Sequence, residues 1–282
     1  MYNFLLLGGD SRQLYLNQML IENGFPTTLH YSSEDPSFSM EEAIKNNNVI
    51  LCPIPFTKDK IKLFSTNPME DLGMGNLLNL LTSDHILFGG SIPAFVKKYA
   101  EDNDIVCFDY MDMEEVTVKN TIATAEGAIA EAIRLSPGCL HKSRCLVTGF
   151  GRCAKTLAIK LKGLDGIVTI ADRKETQLAA ADSMGLYTMP LSELSRGLGE
   201  YQYIFNTIPA LILEKDSIIS MDPDVTIIDI ASAPGGVDFD CCRQLNIRAR
   251  LCPGLPGIYA PGSSAEILFD AIIKHLSERI VL

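Results

Sequence analysis

The chain has 282 residues, of which 47% are hydrophobic and 21% are charged, with 21 Gly, 14 Pro and no Trp. This length is enough for two domains, and the composition excludes disordered, collagenous and coiled-coil classes. The 24 basic and 35 acidic residues give a formal net charge of −11, which has the wrong sign for binding a nucleic acid backbone. We therefore expect no nucleic acid partner.

The N-terminal segment has no positively charged region, and its apolar run ends after a few residues at two glycines and an aspartate. No segment approaches the roughly 18 consecutive apolar residues of a membrane span. The eight cysteines form no CxxC pair, and the four histidines are isolated in sequence. We expect a cytoplasmic protein with no membrane contact, no disulfide framework and no metal site.

Short apolar runs alternate with longer amphipathic segments, which is the pattern of βα units in a parallel sheet. In the first half, residues 11–23 and 71–82 are predicted helices, and the predicted strands are 4–8, 27–31, 49–53, 85–89 and 105–108. In the second half, the predicted strands are 144–148, 167–171, 203–208, 225–231 and 248–252.

Between the halves, Ile122, Ala125, Ile129 and Ile133 repeat at helical spacing, and residues 136–138 (Ser-Pro-Gly) end the helix. We predict an α/β protein with two Rossmann-like parallel-sheet domains joined by this connecting helix, and a C-terminal helix that packs back across the junction. The predicted limits are 1–118 for a flavodoxin/Rossmann-like substrate domain, 119–138 for the connecting helix, 139–262 for an NAD(P)-binding Rossmann domain and 263–282 for the C-terminal helix.

A glycine-rich turn follows the first strand of the second half. It reads Gly149-Phe150-Gly151-Arg152-Cys153-Ala154 and opens an amphipathic helix. Gly149 suits the tight turn, Gly151 lets the backbone approach a pyrophosphate, and Ala154 allows close packing of the helix on the strand. Free amides at the helix start then hold the phosphates. The segment predicts dinucleotide binding at residues 149–152.

The next strand ends at Asp172, 21 residues after Gly151, where an acid binds the adenosine ribose. Asp172 favours the free 2′-hydroxyl of NAD, whereas Arg173 and Lys174 could neutralise the 2′-phosphate of NADP. The two basic residues could equally be solvated residues that open the next helix.

Two further strand ends lie at the carboxyl edge of the predicted sheet, where ligands of open α/β folds bind. Asn206, Thr207 and Pro209 follow one strand and Ala231 ends the next, so we predict that they face the nicotinamide. The alternative is an ordinary strand-to-helix turn.

In the first half, Gly8-Gly9-Asp10-Ser11-Arg12 also joins a strand to a helix, but without the third small residue of a dinucleotide fingerprint. Ser11 can cap the helix, and its N terminus together with Arg12 could receive a substrate carboxylate. The alternative is a capped helix with a surface arginine. Ser91 follows a later strand at the same sheet edge and is a second polar candidate.

Thr124 and Glu126 stand near the start of the connecting helix, from which side chains could reach an interdomain cleft. The alternative is a capping pair. Near the C-terminus, a loop rich in Pro and Gly leads to Ser263 at the start of the last helix. Such a loop often borders a site in a compact α/β enzyme, although it could be a linker.

Several of these segments together resemble the dipicolinate synthase A subunits of spore-forming bacteria. The resemblance covers nearly the whole chain and is carried by residues 8–13 (GGDSRQ), 124–127 (TAEG), 149–151 (GFG), 206–209 (NTIP), 231–236 (ASAPGG), 253–257 (PGLPG) and 260–261 (AP).

The resemblance implies a pyridine-nucleotide oxidoreductase that converts a dihydrodipicolinate-type intermediate to dipicolinate, with hydride transfer to NADP or NAD. It also implies a flavoprotein-like B subunit, an oligomeric complex and the mother-cell cytoplasm of a sporulating bacterium. Within this expectation, Arg12, Ser91, Thr124 and Ser263 are candidate ligands of the dicarboxylate, and Glu126 is the candidate base. Another NAD(P)-dependent dehydrogenase of 2-hydroxy or amino acids, or a non-catalytic nucleotide-binding regulatory protein, remain alternatives.

Overall fold

The computed structural model describes residues 2–32, 39–67 and 69–280. The chain divides into two compact units: unit 1 comprises Met1–Lys119 and Ala260–Leu282, and unit 2 comprises Asn120–Tyr259. Within the described residues, no helix is long and apolar enough to cross a membrane.

Each unit contains one sheet in which all strand pairs are parallel. The strands of unit 1 are β1 (Phe4–Leu7), β2 (Thr27–His30), β3 (Val49–Leu51), β4 (Ile86–Gly89) and β5 (Val106–Asp109). Those of unit 2 are β6 (Arg144–Thr148), β7 (Ile167–Asp172), β8 (Tyr187–Pro190), β9 (Tyr203–Asn206), β10 (Thr226–Asp229) and β11 (Arg248–Leu251).

The helices connect these strands in chain order. They are α1 (Ser11–Glu22), α2 (Met40–Asn46), α3 (Met74–Leu80), α4 (Ala94–Asp102), α5 (Glu114–Leu135), α6 (Arg152–Gly163), α7 (Glu175–Ser183), α8 (Lys215–Ile219), α9 (Phe239–Gln244), α10 (Leu255–Tyr259) and α11 (Pro261–Ile280). Short 3₁₀ segments cover Tyr110–Asp112, Leu191–Arg196 and Leu198–Glu200.

The strand orders place the two candidate sites. Unit 1 has the order β2-β1-β3-β4-β5, as in flavodoxin-like folds. Unit 2 has the order β8-β7-β6-β9-β10-β11, which is the Rossmann order when β6 is counted first. The order reverses between β1 and β3 in unit 1 and between β6 and β9 in unit 2, and ligands bind at the carboxyl ends of the strands at such points.

Both sheets are covered on their two faces, because alternate residues of each strand enter different cores. In β1, Leu5 and Leu7 pack in one core and Phe4 and Leu6 in the other, which α11 also lines. Unit 2 repeats this arrangement. The fold confirms the predicted α/β class with two parallel sheets, and α11 packs against α1 within unit 1.

Two elements differ from the sequence prediction. The helix predicted at 119–138 begins at Glu114 and ends at Leu135, and the early start places Glu114 and Glu115 in the first turn, where the helix dipole stabilises carboxylates. The strand β8 was not predicted, because it is a short edge strand, largely exposed, that ends in proline and carries no run of buried apolar residues.

Candidate functional site

The turn between β6 and α6 needs glycine at its first position. Gly149 has a φ of +82°, and a Cβ atom there would lie 2.8 Å from the Thr207 Oγ1 atom. Its positive φ and the close contact with the loop after β9 both exclude larger residues. Two hydrogen bonds hold the loop after β9 close to the end of β6, because the Thr207 amide and hydroxyl donate to the Thr148 carbonyl at 3.3 and 2.7 Å.

Gly151 serves a different purpose, because it leaves space. It is the N-cap of α6 and supplies no side-chain cap, and a Cβ atom there would meet nothing within 4 Å. The space in front of Gly151 at the start of α6 is therefore open, and the partial positive charge of a helix N terminus attracts anions. Behind the turn, Ala154 is fully buried in the core, which allows α6 to lie close to the sheet.

The turn borders a cleft of about 540 Å³ at the point where the strand order reverses. We call it the glycine-turn cleft. Seven of the ten predicted cofactor residues line it: Gly149, Phe150, Gly151, Asp172, Arg173, Thr207 and Pro209. Its size suits part of a dinucleotide, since small-molecule sites are commonly 300 to 1,000 Å³.

Three predicted cofactor residues lie outside this lining. Arg152 is exposed at the start of α6, while Asn206 and Ala231 are buried behind the cleft. Five further residues line the cleft and were not predicted: Gln177, Leu191, Ile208, Ala210 and Ile212. The apolar run 208–212 directly after a strand end was the available signal for Ile212.

The Asp172 carboxylate holds the glycine turn. Its Oδ2 atom accepts a hydrogen bond from the Phe150 amide at 2.9 Å, and Oδ1 accepts one from the Lys174 amide at 2.8 Å. Each oxygen retains a lone pair, so the half-buried carboxylate can still accept a ribose hydroxyl. Asp172 therefore joins β7, the glycine turn and the start of α7.

Two cations stand beside Asp172. Arg173 and Lys174 are exposed, both line the glycine-turn cleft, and neither forms an ion pair with a described residue. Their charge is consequently available to an anion at this end of the cleft.

A buried polar network lies behind the cleft, and only two of its members, Asn206 and Ala231, were predicted from the sequence. Asp229 at the end of β10 is fully buried, and its carboxylate accepts hydrogen bonds from Asn206, Ala231 and Gly236. Burial raises the pKa of the Asp229 carboxyl, although these three donors oppose the shift. Thr148 completes the network by donating its hydroxyl to Asn206 Oδ1 at 2.6 Å.

The corresponding turn of unit 1 is closed by the chain itself. A Cβ atom on Gly8 would lie 2.9 Å from the Phe64 carbonyl oxygen, and one on Gly9 would lie 2.7 Å from Gln13 Cγ. The cap of α1 is Asp10, whose carboxylate accepts from the Arg12 amide at 3.1 Å, and not Ser11 as predicted. Asp10 takes this role because its extended backbone directs the side chain toward the first turn.

Arg12 is buried rather than at the surface. Its Nε and Nη2 atoms donate to the Asp10 carboxylate at 2.9 and 2.7 Å, and Nη2 also donates to the Ile54 carbonyl. The Nη1 atom forms no hydrogen bond within the described part of the chain. Part of the guanidinium is therefore held in place and part is available to an anion.

Ser91 lies close to the same loop. Gly90 packs on the Ile54 side chain, and the Ile54 carbonyl accepts from Arg12, so Ile54 contacts both residues. Ser91 has a φ of +57° and its amide donates to Asp109 Oδ1 at 2.9 Å. Its hydroxyl-bearing side chain is exposed.

The remaining predicted site residues lie on helices. Thr124 donates to the Asn120 carbonyl at 2.9 Å, and Ser263 is exposed in the first turn of α11. Glu126 is 55% exposed and pairs with Lys160 Nζ at 2.7 Å. More than half of the Glu126 side chain is therefore in contact with solvent. Its assignment as the base stays a prediction.

Four of the eight thiols are unsuited to nucleophilic chemistry, because burial keeps them protonated. Burial raises the pKa of Cys145 and Cys242 to about 12, and that of Cys107 and Cys252 to about 11. Among the described residues, no three His, Cys, Asp or Glu side chains come together as they would around a metal ion.

The two strand orders define the class of the fold, an α/β fold with one flavodoxin-like and one Rossmann-type parallel sheet. A solved L-alanine dehydrogenase structure shares it, with a TM-score of 0.63 and 11% identity over 96% of this chain and 88% of that one. At that identity the likeness concerns the fold alone.

The particular resemblance is to the A subunits of dipicolinate synthase. Residues 3–111 match the family described as the N-terminal domain of the dipicolinate synthase A subunit. The A subunit of the Bacillus subtilis (strain 168) enzyme is 29% identical over 97% of this chain and 95% of its own length. The crystal structure of the Bacillus halodurans A subunit has a TM-score of 0.87 and 27% identity, with 98% of this chain and 97% of that chain covered. The resemblance predicted from the sequence is thus confirmed.

Proposed function

We propose that this chain is an NAD(P)-dependent oxidoreductase that converts a dihydrodipicolinate-type intermediate to dipicolinate. The observation that carries the proposal is the open N terminus of α6 at the point where the strand order of unit 2 reverses. Gly151 adds no side chain to that region, and a helix N terminus favours a pyrophosphate there.

NADP is the proposed cofactor, with NAD as the second choice. Asp172 already accepts one backbone amide at each oxygen, which reduces its repulsion of a 2′-phosphate. Arg173 and Lys174 line the same cleft without an ion pair among the described residues, so they can bind that phosphate. Thr207 and Pro209, after β9, would lie along the nicotinamide half.

The substrate is a small dicarboxylate, and Arg12 is its proposed anchor. The Asp10 carboxylate and the Ile54 carbonyl orient the guanidinium and leave Nη1 for a substrate oxygen. A buried guanidinium loses little further entropy when it binds a carboxylate. The hydroxyls of Ser91, Thr124 and Ser263 are the proposed further ligands.

The reaction removes two hydrogens from the dihydropyridine ring. One ring carbon loses a hydride and a second ring atom loses a proton, so that two electrons leave the ring and it becomes aromatic. A bound nicotinamide supplies the hydride acceptor. The protein binds the carboxylates, excludes water and takes up the proton, for which Glu126 is the proposed base.

The names of the relatives support a multi-subunit enzyme, because each is called an A subunit. We propose that the partner is a flavoprotein-like B subunit, that the two assemble into an oligomer, and that they act in the mother-cell cytoplasm of a sporulating bacterium.

The test is an assay with freshly generated dihydrodipicolinate precursor, NADP or NAD, and the chain with or without a candidate B subunit. Reduced nucleotide and dipicolinate are measured separately. Equal amounts of both products are expected. Turnover only with 2-hydroxy or amino acids would identify another dehydrogenase, and nucleotide binding without any turnover would identify a regulatory protein.

The assignment of Glu126 has its own test. Replacement Glu126→Gln is expected to lower kcat by about 100-fold, the usual loss when a general base is removed, while nucleotide affinity is unchanged. Glu115→Gln is the matched control, because Glu115 also lies on α5 and pairs with a lysine, at 2.8 Å. Equal turnover of both variants and the wild type would rule out Glu126 as the base.

A further inference from the structure

One wall of the glycine-turn cleft is formed by residues 207–212, which we call the wall segment. Thr207, Ile208, Pro209, Ala210 and Ile212 all line the cleft. No regular secondary structure stabilises the segment, so its position depends on hydrogen bonds at its two ends.

The first end is fixed by Asn206. Its side-chain Oδ1 accepts from the Ile208 amide at 3.1 Å, and Nδ2 donates to the Ile208 carbonyl at 3.0 Å. The two bonds require one orientation of the side-chain amide, since a flipped amide would set donor against donor and acceptor against acceptor.

Asp229 determines that orientation. A carboxylate only accepts hydrogen bonds, and Asp229 Oδ1 lies 2.8 Å from Asn206 Nδ2. On the opposite side, the Thr148 hydroxyl donates to Asn206 Oδ1 at 2.6 Å. The neighbours of Asn206 therefore determine which of its side-chain atoms donates and which accepts. Asp229 is the charged residue among these neighbours.

The second end of the wall segment is attached to the same carboxylate. Asp229 Oδ2 accepts from the Gly236 amide at 2.7 Å, and the Gly236 carbonyl accepts from the amides of Ile212 and Leu213, both at 3.0 Å. Space for this contact is tight, because a Cβ atom on Gly236 would lie 2.5 Å from the Ala210 carbonyl oxygen. The Ala231 amide adds a third bond to Asp229, at 2.9 Å.

We propose that Asp229 is a positioning residue for the nucleotide, which holds both ends of the wall segment through Asn206 and Gly236. Asp229 is fully buried and does not line the cleft, so it acts only through these two residues. The proposal rests on the proposed nucleotide binding of unit 2. It gives Asp229 a role that no sequence motif assigned.

The test is Asp229→Asn. Three donors surround this side chain, and an amide has only one oxygen, so at least one donor would face the NH₂ group. We expect amide hydrogen exchange in residues 207–213 of the nucleotide-free protein to accelerate by about tenfold, and the Kd for NADP in calorimetry to rise by about tenfold.

Asp109→Asn is the matched control. Asp109 is also buried at the end of a strand and accepts from three backbone amides, those of Ser91, Ile92 and Met111, but it belongs to unit 1. We expect this variant to lose stability while exchange at 207–213 and the Kd for NADP stay unchanged. If Asp229→Asn acted only through a general loss of stability, exchange at 207–213 and the Kd for NADP would change to the same extent in both variants, which would overturn the positioning role.

The outcomes separate this inference from the proposed function. Wild-type protein that binds neither NADP nor NAD would overturn both. Wild-type binding with unchanged exchange and affinity in Asp229→Asn would overturn the positioning role alone. If Asp229→Asn does not fold, Asn206→Ala decides, because it removes the bonds that connect Asp229 to Ile208: faster exchange at 207–213 supports the proposal, and unchanged exchange overturns it.

Discussion

The two units contain the same local sequence pattern, a strand that runs through glycines into a helix, and use it in opposite ways. In unit 1, Cβ atoms on Gly8 and Gly9 would collide with the chain's own Phe64 and Gln13. In unit 2, a Cβ atom on Gly151 would meet nothing. The cavity at the turn is accordingly about 10 Å³ in unit 1 and about 540 Å³ in unit 2.

The N-caps of α1 and α6 show the same contrast between a filled turn in unit 1 and an open turn in unit 2. Asp10 caps α1 with its own carboxylate, whereas Gly151 leaves α6 without a side-chain cap. A carboxylate at an N-cap supplies the negative charge that the helix N terminus attracts. Unit 1 thus provides this anion from its own sequence, and unit 2 leaves the position for a ligand. Glycines after a strand therefore do not by themselves indicate an open anion site, because the chain can fill the same turn with its own atoms.

The largest expected effect comes from giving unit 2 the cap of unit 1. In Gly151→Asp, the new carboxylate would accept from the first amides of α6 and repel a pyrophosphate. We expect nucleotide affinity to fall by at least about 100-fold, because a favourable anion site becomes a repulsive one. The unfolding free energy should stay equal or rise by about 0.5 kcal/mol, since Asp is a good N-cap. Calorimetric titration and denaturant unfolding measure the two quantities.

Gly9→Ala is the counterpart in unit 1. Gly9 has a φ of +89° and little space for a Cβ atom, so this variant should lose about 2 kcal/mol of stability. Its nucleotide affinity should be that of the wild type. If Gly151→Asp kept its affinity, or if Gly9→Ala lost affinity instead, the contrast between an open and a filled turn would be wrong.

The second effect concerns the guanidinium beside the filled turn. Arg12→Gln removes the free Nη1 donor and the charge, so we expect the KM for the dicarboxylate substrate to rise by about 20-fold. Nucleotide affinity, a property of unit 2, should not change. Steady-state kinetics with each substrate varied in turn gives both values. The KM of Arg12→Lys should lie between those of the wild type and Arg12→Gln, because lysine keeps the charge but lacks the planar guanidinium.

An unchanged KM in Arg12→Gln, accompanied by a loss of stability, would show that Arg12 only braces Asp10 and Ile54. In that case the filled turn of unit 1 would have a structural role alone.

Much of the fold could be predicted from the sequence because it rests on local periodicity. Ten of the eleven strands within the described residues follow apolar runs, and the glycine fingerprint predicted where the open turn lies. The edge strand β8 was missed because its side chains are mostly exposed and leave no apolar pattern.

The site was less predictable, since its contacts join residues far apart in sequence. Asp229 lies inside the predicted strand 225–231, where nothing in the sequence singles it out, and its bonds to Asn206 and Gly236 depend on the tertiary structure. Arg12 was expected at a helix start. Its burial against Ile54 was not predictable from periodicity, because it depends on how the residues after β3 pack.

The smallest expected effect distinguishes the two nucleotides at the open turn. Arg173→Ala removes an exposed cation that lines the cleft, and exposed charge pairs contribute about 1 kcal/mol or less. We therefore expect the Kd for NADP to rise by about fivefold and the Kd for NAD to stay within twofold, because only NADP carries the 2′-phosphate. The loss should shrink at high salt, where exposed charges are screened. Arg243→Ala, which changes an exposed arginine on α9, should alter neither Kd. Equal losses for both nucleotides in Arg173→Ala would instead place the arginine against the pyrophosphate that they share, and Asp172 would then favour NAD.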